Sequence, residues 1–198
     1  MTIITQEKQP RSKKKKFGEE RYELRISGSG GHGVILAAIM LAEATAYDPR
    51  LNVVQTQSYG PEARGGASRA DVVISTSDIY HPKTMKLDLL MAFTQEACDK
   101  YYQDLKPNGI LIVDSNMVTK VPFKNSYAFP FMRTAREQVG HIMVANVIAL
   151  GVIVELTGLI APESIREVVG RRAPKGTEER NLQALEIGFD LAKKERRA

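Results

Sequence analysis

Four glycines and a histidine crowd into six residues, Gly28-Ser29-Gly30-Gly31-His32-Gly33. Gly28, Gly30 and Gly33 satisfy G-x-G-x-x-G, a pattern that binds phosphate when a strand precedes it and a helix follows. Glycine reaches positive φ and lets the backbone approach a ligand closely. The helix that follows then offers unpaired N–H groups and a partial positive charge to an anion. Two readings stay open, a phosphate or pyrophosphate site and a bare tight turn. His32 fits a donor to phosphate and an exposed side chain equally well.

A second glycine-rich loop spans Ser58–Gly66 and holds Tyr59, Gly60, Pro61, Glu62, Arg64, Gly65 and Gly66. The planar fork of Arg64 suits a phosphate or carboxylate, and Tyr59 suits stacking on a base or ring. The same loop also suits a subunit interface, because Gly65-Gly66 permits close protein contact. Two common nucleotide readings fail on inspection. An NAD site needs an acid at the end of the second strand, and that strand ends Gln55-Thr56-Gln57-Ser58. A Walker A loop needs Lys followed by Ser or Thr, where this chain has Val34-Ile35.

Catalytic groups are sparse. His32, His81 and His141 lack metal-ligand spacing, and Ser27, Ser29 and Ser58 have no acid–base pair nearby in sequence. No catalytic residue and no metal ligand is expected. Cys98 is the sole cysteine, too few for an iron–sulfur cluster and in keeping with a reducing cytoplasm. Charge is uneven. Residues 1–16 carry six basic groups and one acid, while residues 17–198 carry 22 of each. The basic pI therefore belongs to a tail, and a nucleic-acid partner is not expected. The apolar stretch His141–Ile160 is interrupted by Asn146, Gly151 and Glu155, and reads as a buried core helix rather than a membrane span.

Periodicity supplies the elements that must hold the two loops. Tyr22–Ser27, Leu51–Thr56, Ala70–Ser75, Asp88–Phe93 and Ile110–Val113 read as strands, with a short one at Tyr127–Phe129. Val34–Ala46 and Gln95–Leu105 read as helices, the second stopping before Pro107-Asn108-Gly109. Beyond them the chain turns helical over Met143–Thr157, Pro162–Val169 and Thr177–Lys194, with stops at Gly158 and Gly170. This order implies an α/β fold of three layers. A mostly parallel sheet carries helices on both faces, and the C-terminal part is helix-rich. Residues 17–198 are expected to form one domain, and residues 1–16 a flexible basic tail. Both glycine loops follow strands at their carboxyl ends, so they should converge on one rim, where ligands of open α/β sheets bind.

The first motif, the Ala-rich helix Leu36–Ala46, the run Ser58-Tyr59-Gly60-Pro61-Glu62-Ala63-Arg64-Gly65-Gly66 and Ala70–Ser75 together resemble the gamma subunit of 2-oxoacid:ferredoxin oxidoreductases. The resemblance runs over Tyr22–Lys194. The common form of the first motif has Gln where this chain has His32. The resemblance implies a multi-subunit enzyme that oxidatively decarboxylates a 2-oxoacid to an acyl-CoA and passes electrons to ferredoxin. It implies thiamine diphosphate in alpha and beta subunits, iron–sulfur clusters in beta or delta, and a share in coenzyme A binding for this chain. Ferredoxin would be met through the partners. Among possible 2-oxoacids the likeness favours 2-oxoglutarate. Gly28, Ser29, Gly30, Gly31, His32, Gly33, Tyr59, Gly60, Arg64, Gly65 and Gly66 are the residues expected at the coenzyme site. A free-standing nucleotide-dependent oxidoreductase is the competing reading.

Overall fold

The computed structural model describes residues 20–58 and 68–197. The tail 1–16 lies outside the described residues, as do Tyr59, Gly60, Arg64, Gly65 and Gly66 of the second loop.

The strands are β1 (Arg21–Gly28), β2 (Asn52–Ser58), β3 (Ser68–Ser75), β4 (Leu87–Ala92), β5 (Leu105–Asp114) and β6 (Ser126–Phe129). They form one six-stranded sheet in the order β2-β3-β1-β4-β5-β6. β1, β4, β5 and β6 pair in parallel. β3 is antiparallel to both β1 and β2, which leaves β2 pointing the same way as β1. The sheet is mostly parallel, as the sequence implies. The helices are α1 (Val34–Thr45), α2 (Gln95–Tyr101), α3 (Phe131–Thr134), α4 (Ala145–Thr157), α5 (Pro162–Arg172) and α6 (Glu178–Arg197).

Strand alternation builds the layers. Leu24, Ile26, Val72, Ile74, Leu89 and Met91 turn to one face and pack with apolar residues of α1, α4, α5 and α6. Leu90, Ala92, Leu111 and Val113 turn to the other and pack with Ala97, Cys98 and Tyr101 of α2. Helices thus cover both faces, unequally. α4 is buried along nearly its whole length. It crosses α6 with Gly151 against Gly188, where a Cβ on either would strike the other helix's backbone. This backbone-to-backbone approach fixes α4, whose first turn carries Asn146. No described helix is long and apolar enough to cross a membrane.

Several boundaries differ from expectation. α2 stops at Tyr101, and one 3-10 turn over Tyr102–Asp104 leads into β5 at Leu105. Pro107-Asn108-Gly109 therefore lies inside a strand, not in a loop. A bulge absorbs it, because Leu87 pairs with Leu105 while Leu89 pairs with Ile110. Proline is tolerated there since a bulge needs no ladder donor. α5 does not stop at Gly170 but continues to Arg172. The stop is Pro174, which drives Ala173 into the extended region (ψ 139°). Phe131–Thr134 is helical and runs on as a wider π turn over Ala135–Val139 before Gly140 at φ 77°.

On the α2 side β1 and β3 bury charge. Arg25 is 3% exposed and Asp71 6%. The Arg25 guanidinium donates to both Asp71 oxygens at 2.6 and 2.9 Å, to Asp104 at 2.6 Å and to Thr84 Oγ1 at 2.9 Å. The Tyr101 ring lies 4.7 Å from it. Burial alone would lower the Arg25 pKa, but Asp71 and Asp104 outweigh it and hold the group above its ordinary value.

Candidate functional site

From β1 the chain proceeds through α1 to β2 on one side. After β3 it crosses back to β4 on the other. The carboxyl ends of β1 and β4 therefore flank a topological switch point, the place where open α/β sheets bind ligands. The Gly28–Gly33 turn sits there, since β1 ends at Gly28 and α1 begins at Val34. The carboxyl end of β4 is tied to it by Phe93 N–H donating to Ser27 O at 2.9 Å.

Each glycine has its own reason. A Cβ on Gly28 would lie 2.8 Å from His32 Nδ1 and 3.0 Å from Phe93 Cβ. Gly31 and Gly33 adopt φ of 91° and 68°, conformations that side chains rarely adopt. Gly30 is exposed, and a Cβ there would meet nothing within 4 Å, so its backbone is open to approach. Ser29 closes the turn by accepting from His32 N–H at 3.2 Å. Gly33 starts α1 without a side-chain cap, and the first turn has no acid. The first N–H groups of α1 are thus left for another acceptor.

Asn146 completes the turn from α4. Its Nδ2 donates to Gly33 O at 3.1 Å, which fixes the amide orientation. Its Oδ1 is then left buried and without a partner, in a residue only 3% exposed. His32 Nδ1 is the other such atom among the described residues. The His32 ring lies 5.8 Å from Phe93, which continues to Phe131 at 5.9 Å and on to Phe129 at 5.6 Å. Burial lowers the His32 pKa, and the nearby charge of Asp114 opposes this in part. Asp114 itself is fully buried at the end of β5, accepting from Asn116 N–H and Met132 N–H at 2.8 Å each.

All six expected residues from Gly28 to Gly33 thus meet in one turn. Of the second loop the structure describes only the two ends. Ser58 pairs with Arg69, and Ser68 pairs with Gly28. Ser27 Oγ also donates to Ser68 O at 2.9 Å. Both ends therefore stand on the rim that carries the first turn. β2, where a dinucleotide site would need its acid, lies at the sheet edge with β3 between it and β1. His81 and His141 are exposed, and the carbonyl of His81 accepts from Arg21. No described group of three His, Cys, Asp or Glu could hold a metal ion. Sequence reasoning missed Asn146, Asp114 and Phe93 as parts of the site. A lone amide in the apolar run of α4 is the one signal that pointed to any of them.

A family model for pyruvate ferredoxin/flavodoxin oxidoreductase matches residues 23–191. The chain belongs to this family. The family expected from the two glycine motifs is thereby the one found. The chain is 45% identical to the 2-oxoglutarate synthase subunit KorC of Methanocaldococcus jannaschii, covering 87% of this chain and 95% of that one. It is 45% identical to a keto/oxoacid ferredoxin oxidoreductase gamma subunit from Geobacter sulfurreducens, with a TM-score of 0.80, covering 88% of this chain and 97% of that one. It is 25% identical to a 2-oxoglutarate:ferredoxin oxidoreductase from Magnetococcus marinus solved with 2-oxoglutarate, coenzyme A and succinyl-CoA, with a TM-score of 0.76. That match covers 89% of this chain and 32% of the longer one.

Proposed function

We propose that the chain is the gamma subunit of a 2-oxoglutarate:ferredoxin oxidoreductase and that its Gly28–Gly33 turn holds part of coenzyme A. The observation that carries the site is the start of α1 at the switch point, where Gly33 brings no side-chain cap and the first turn holds no acid. The donor set fits the group. Coenzyme A brings a diphosphate, and backbone N–H groups at a helix start bind phosphate oxygens without any side chain. Gly30 leaves that backbone open, and Gly31 and Gly33 give it its shape. When bound, the coenzyme supplies the thiol that accepts the acyl group.

This chain's own part is to bind and orient. Asn146 holds the Gly33 carbonyl and so sets the start of α1. Arg64, with Tyr59, Gly60, Gly65 and Gly66, belongs to the same site in this reading. The support is that Ser58 and Ser68, the ends of that loop, stand on the same rim. Thiamine diphosphate and the iron–sulfur clusters belong to alpha, beta and delta-type partners, through which ferredoxin is reached. A buried, unpaired Cys98 is compatible with a cytoplasmic place for the assembly.

The experiment is isolation of the chain with its native partners, followed by a panel of 2-oxoacids assayed for ferredoxin reduction and acyl-CoA release. The expected result is a multi-subunit complex that prefers 2-oxoglutarate and requires coenzyme A. A chain that elutes alone, or a complex inactive on every 2-oxoacid, overturns the reading.

A further inference from the structure

We propose that His32 couples ligand binding to proton uptake: an anionic ligand seated on the Gly28–Gly33 turn binds together with one proton that the imidazole takes from solvent. The inference rests on the coenzyme reading of this turn and adds a chemical role for one side chain within it.

His32 Nδ1 is buried without a partner, packed where a Cβ on Gly28 would be and beside the Phe93 ring. A charged ring there would bury an unpaired N–H, which disfavours the imidazolium. Burial accordingly lowers its pKa, which favours the neutral ring in the free turn. Among the described residues, the charged group acting on it is Asp114 from the end of β5. Both Asp114 oxygens already accept backbone N–H groups, and neither bonds to the ring. The ring it packs against, Phe93 just past the end of β4, is uncharged.

An anion at the start of α1 changes this balance. It adds a second negative charge close to the ring, and opposite charge favours the protonated form. The backbone of the turn need not move for this, because His32 N–H stays on Ser29 O. The ring becomes a proton acceptor that responds to the ligand. A glutamine in its place would still form hydrogen bonds but would not titrate.

The test uses the complex carrying this chain and its native partners. Coenzyme A is titrated calorimetrically in two buffers of different ionisation enthalpy at the same pH, which counts the protons taken up. Wild type is compared with His32→Gln, and with His32→Asn should the first fail to assemble. The expected result is that wild type takes up close to one proton more than the variant. Its Kd then rises with pH up to about ten-fold per unit more steeply. Equal proton counts in wild type and variant, with coenzyme A bound in both, overturn the proposal and leave the coenzyme reading standing. Absence of coenzyme A binding by the wild-type complex overturns both.

Discussion

Arg25 and Gly28 are three residues apart on β1, yet they stand for two opposite treatments of buried polar groups. Around Arg25, every polar partner comes from the chain: two oxygens of Asp71, one of Asp104 and the Thr84 hydroxyl. Around the turn that begins at Gly28, two polar atoms are buried with none, His32 Nδ1 and Asn146 Oδ1. Each such atom costs about 1–3 kcal/mol. The first region shows that this chain does satisfy buried charge where architecture requires it. The second region, at the switch point and at an uncapped helix start, keeps unpaired groups where a ligand would arrive. Polar groups that serve the fold are closed, and those at the proposed binding turn are left open.

The largest expected effect tests the closed region. Arg25→Ala leaves Asp71 buried and unpaired, and loss of one member of such a pair costs about 3–5 kcal/mol. Denaturant unfolding of the full chain measures it, and a loss under about 1 kcal/mol would show that water enters and screens the pair. A smaller effect is expected in the turn. Gly33→Ala forces a side chain into φ 68° and against Asn146, at a cost of about 1–3 kcal/mol. Coenzyme A affinity should fall with it. Unchanged affinity would separate the shape of the turn from binding and blur the contrast.

The smallest effect is a dependence on pH. The folded His32 holds its proton less well than an ordinary histidine. Below the ordinary histidine value the unfolded chain therefore binds more protons than the folded one, and stability falls as pH drops. The contribution is fully present above that value and fades through the lower folded value. His32→Gln should remove this slope, read by thermal unfolding across mildly acidic pH. A slope that survives the substitution would assign it to another group.

The sequence disclosed the open region better than the closed one. Glycines leave a strong signal because their spacing reports backbone shape, so Gly28–Gly33 and its flanking strand and helix were legible. The Arg25 network was not, because Asp71 and Asp104 come from distant parts of the chain. Pairing across strands in a three-dimensional register has no local pattern. Asn146 was half legible as a polar break in an apolar helix, but its contact with Gly33 depends on the packing of α4. Pro107-Asn108-Gly109 misled because those residues usually mark turns, and here a bulge carries them inside β5.

The contrast is tested most directly by amide hydrogen exchange on the partner-bound chain with and without saturating coenzyme A. Ser29–Leu36 should exchange more slowly once the coenzyme is present. Glu23–Ser27 and Ala70–Val73 should be equally protected in both states. Unchanged exchange across Ser29–Leu36 at saturation would contradict the claim that this turn is where the ligand binds.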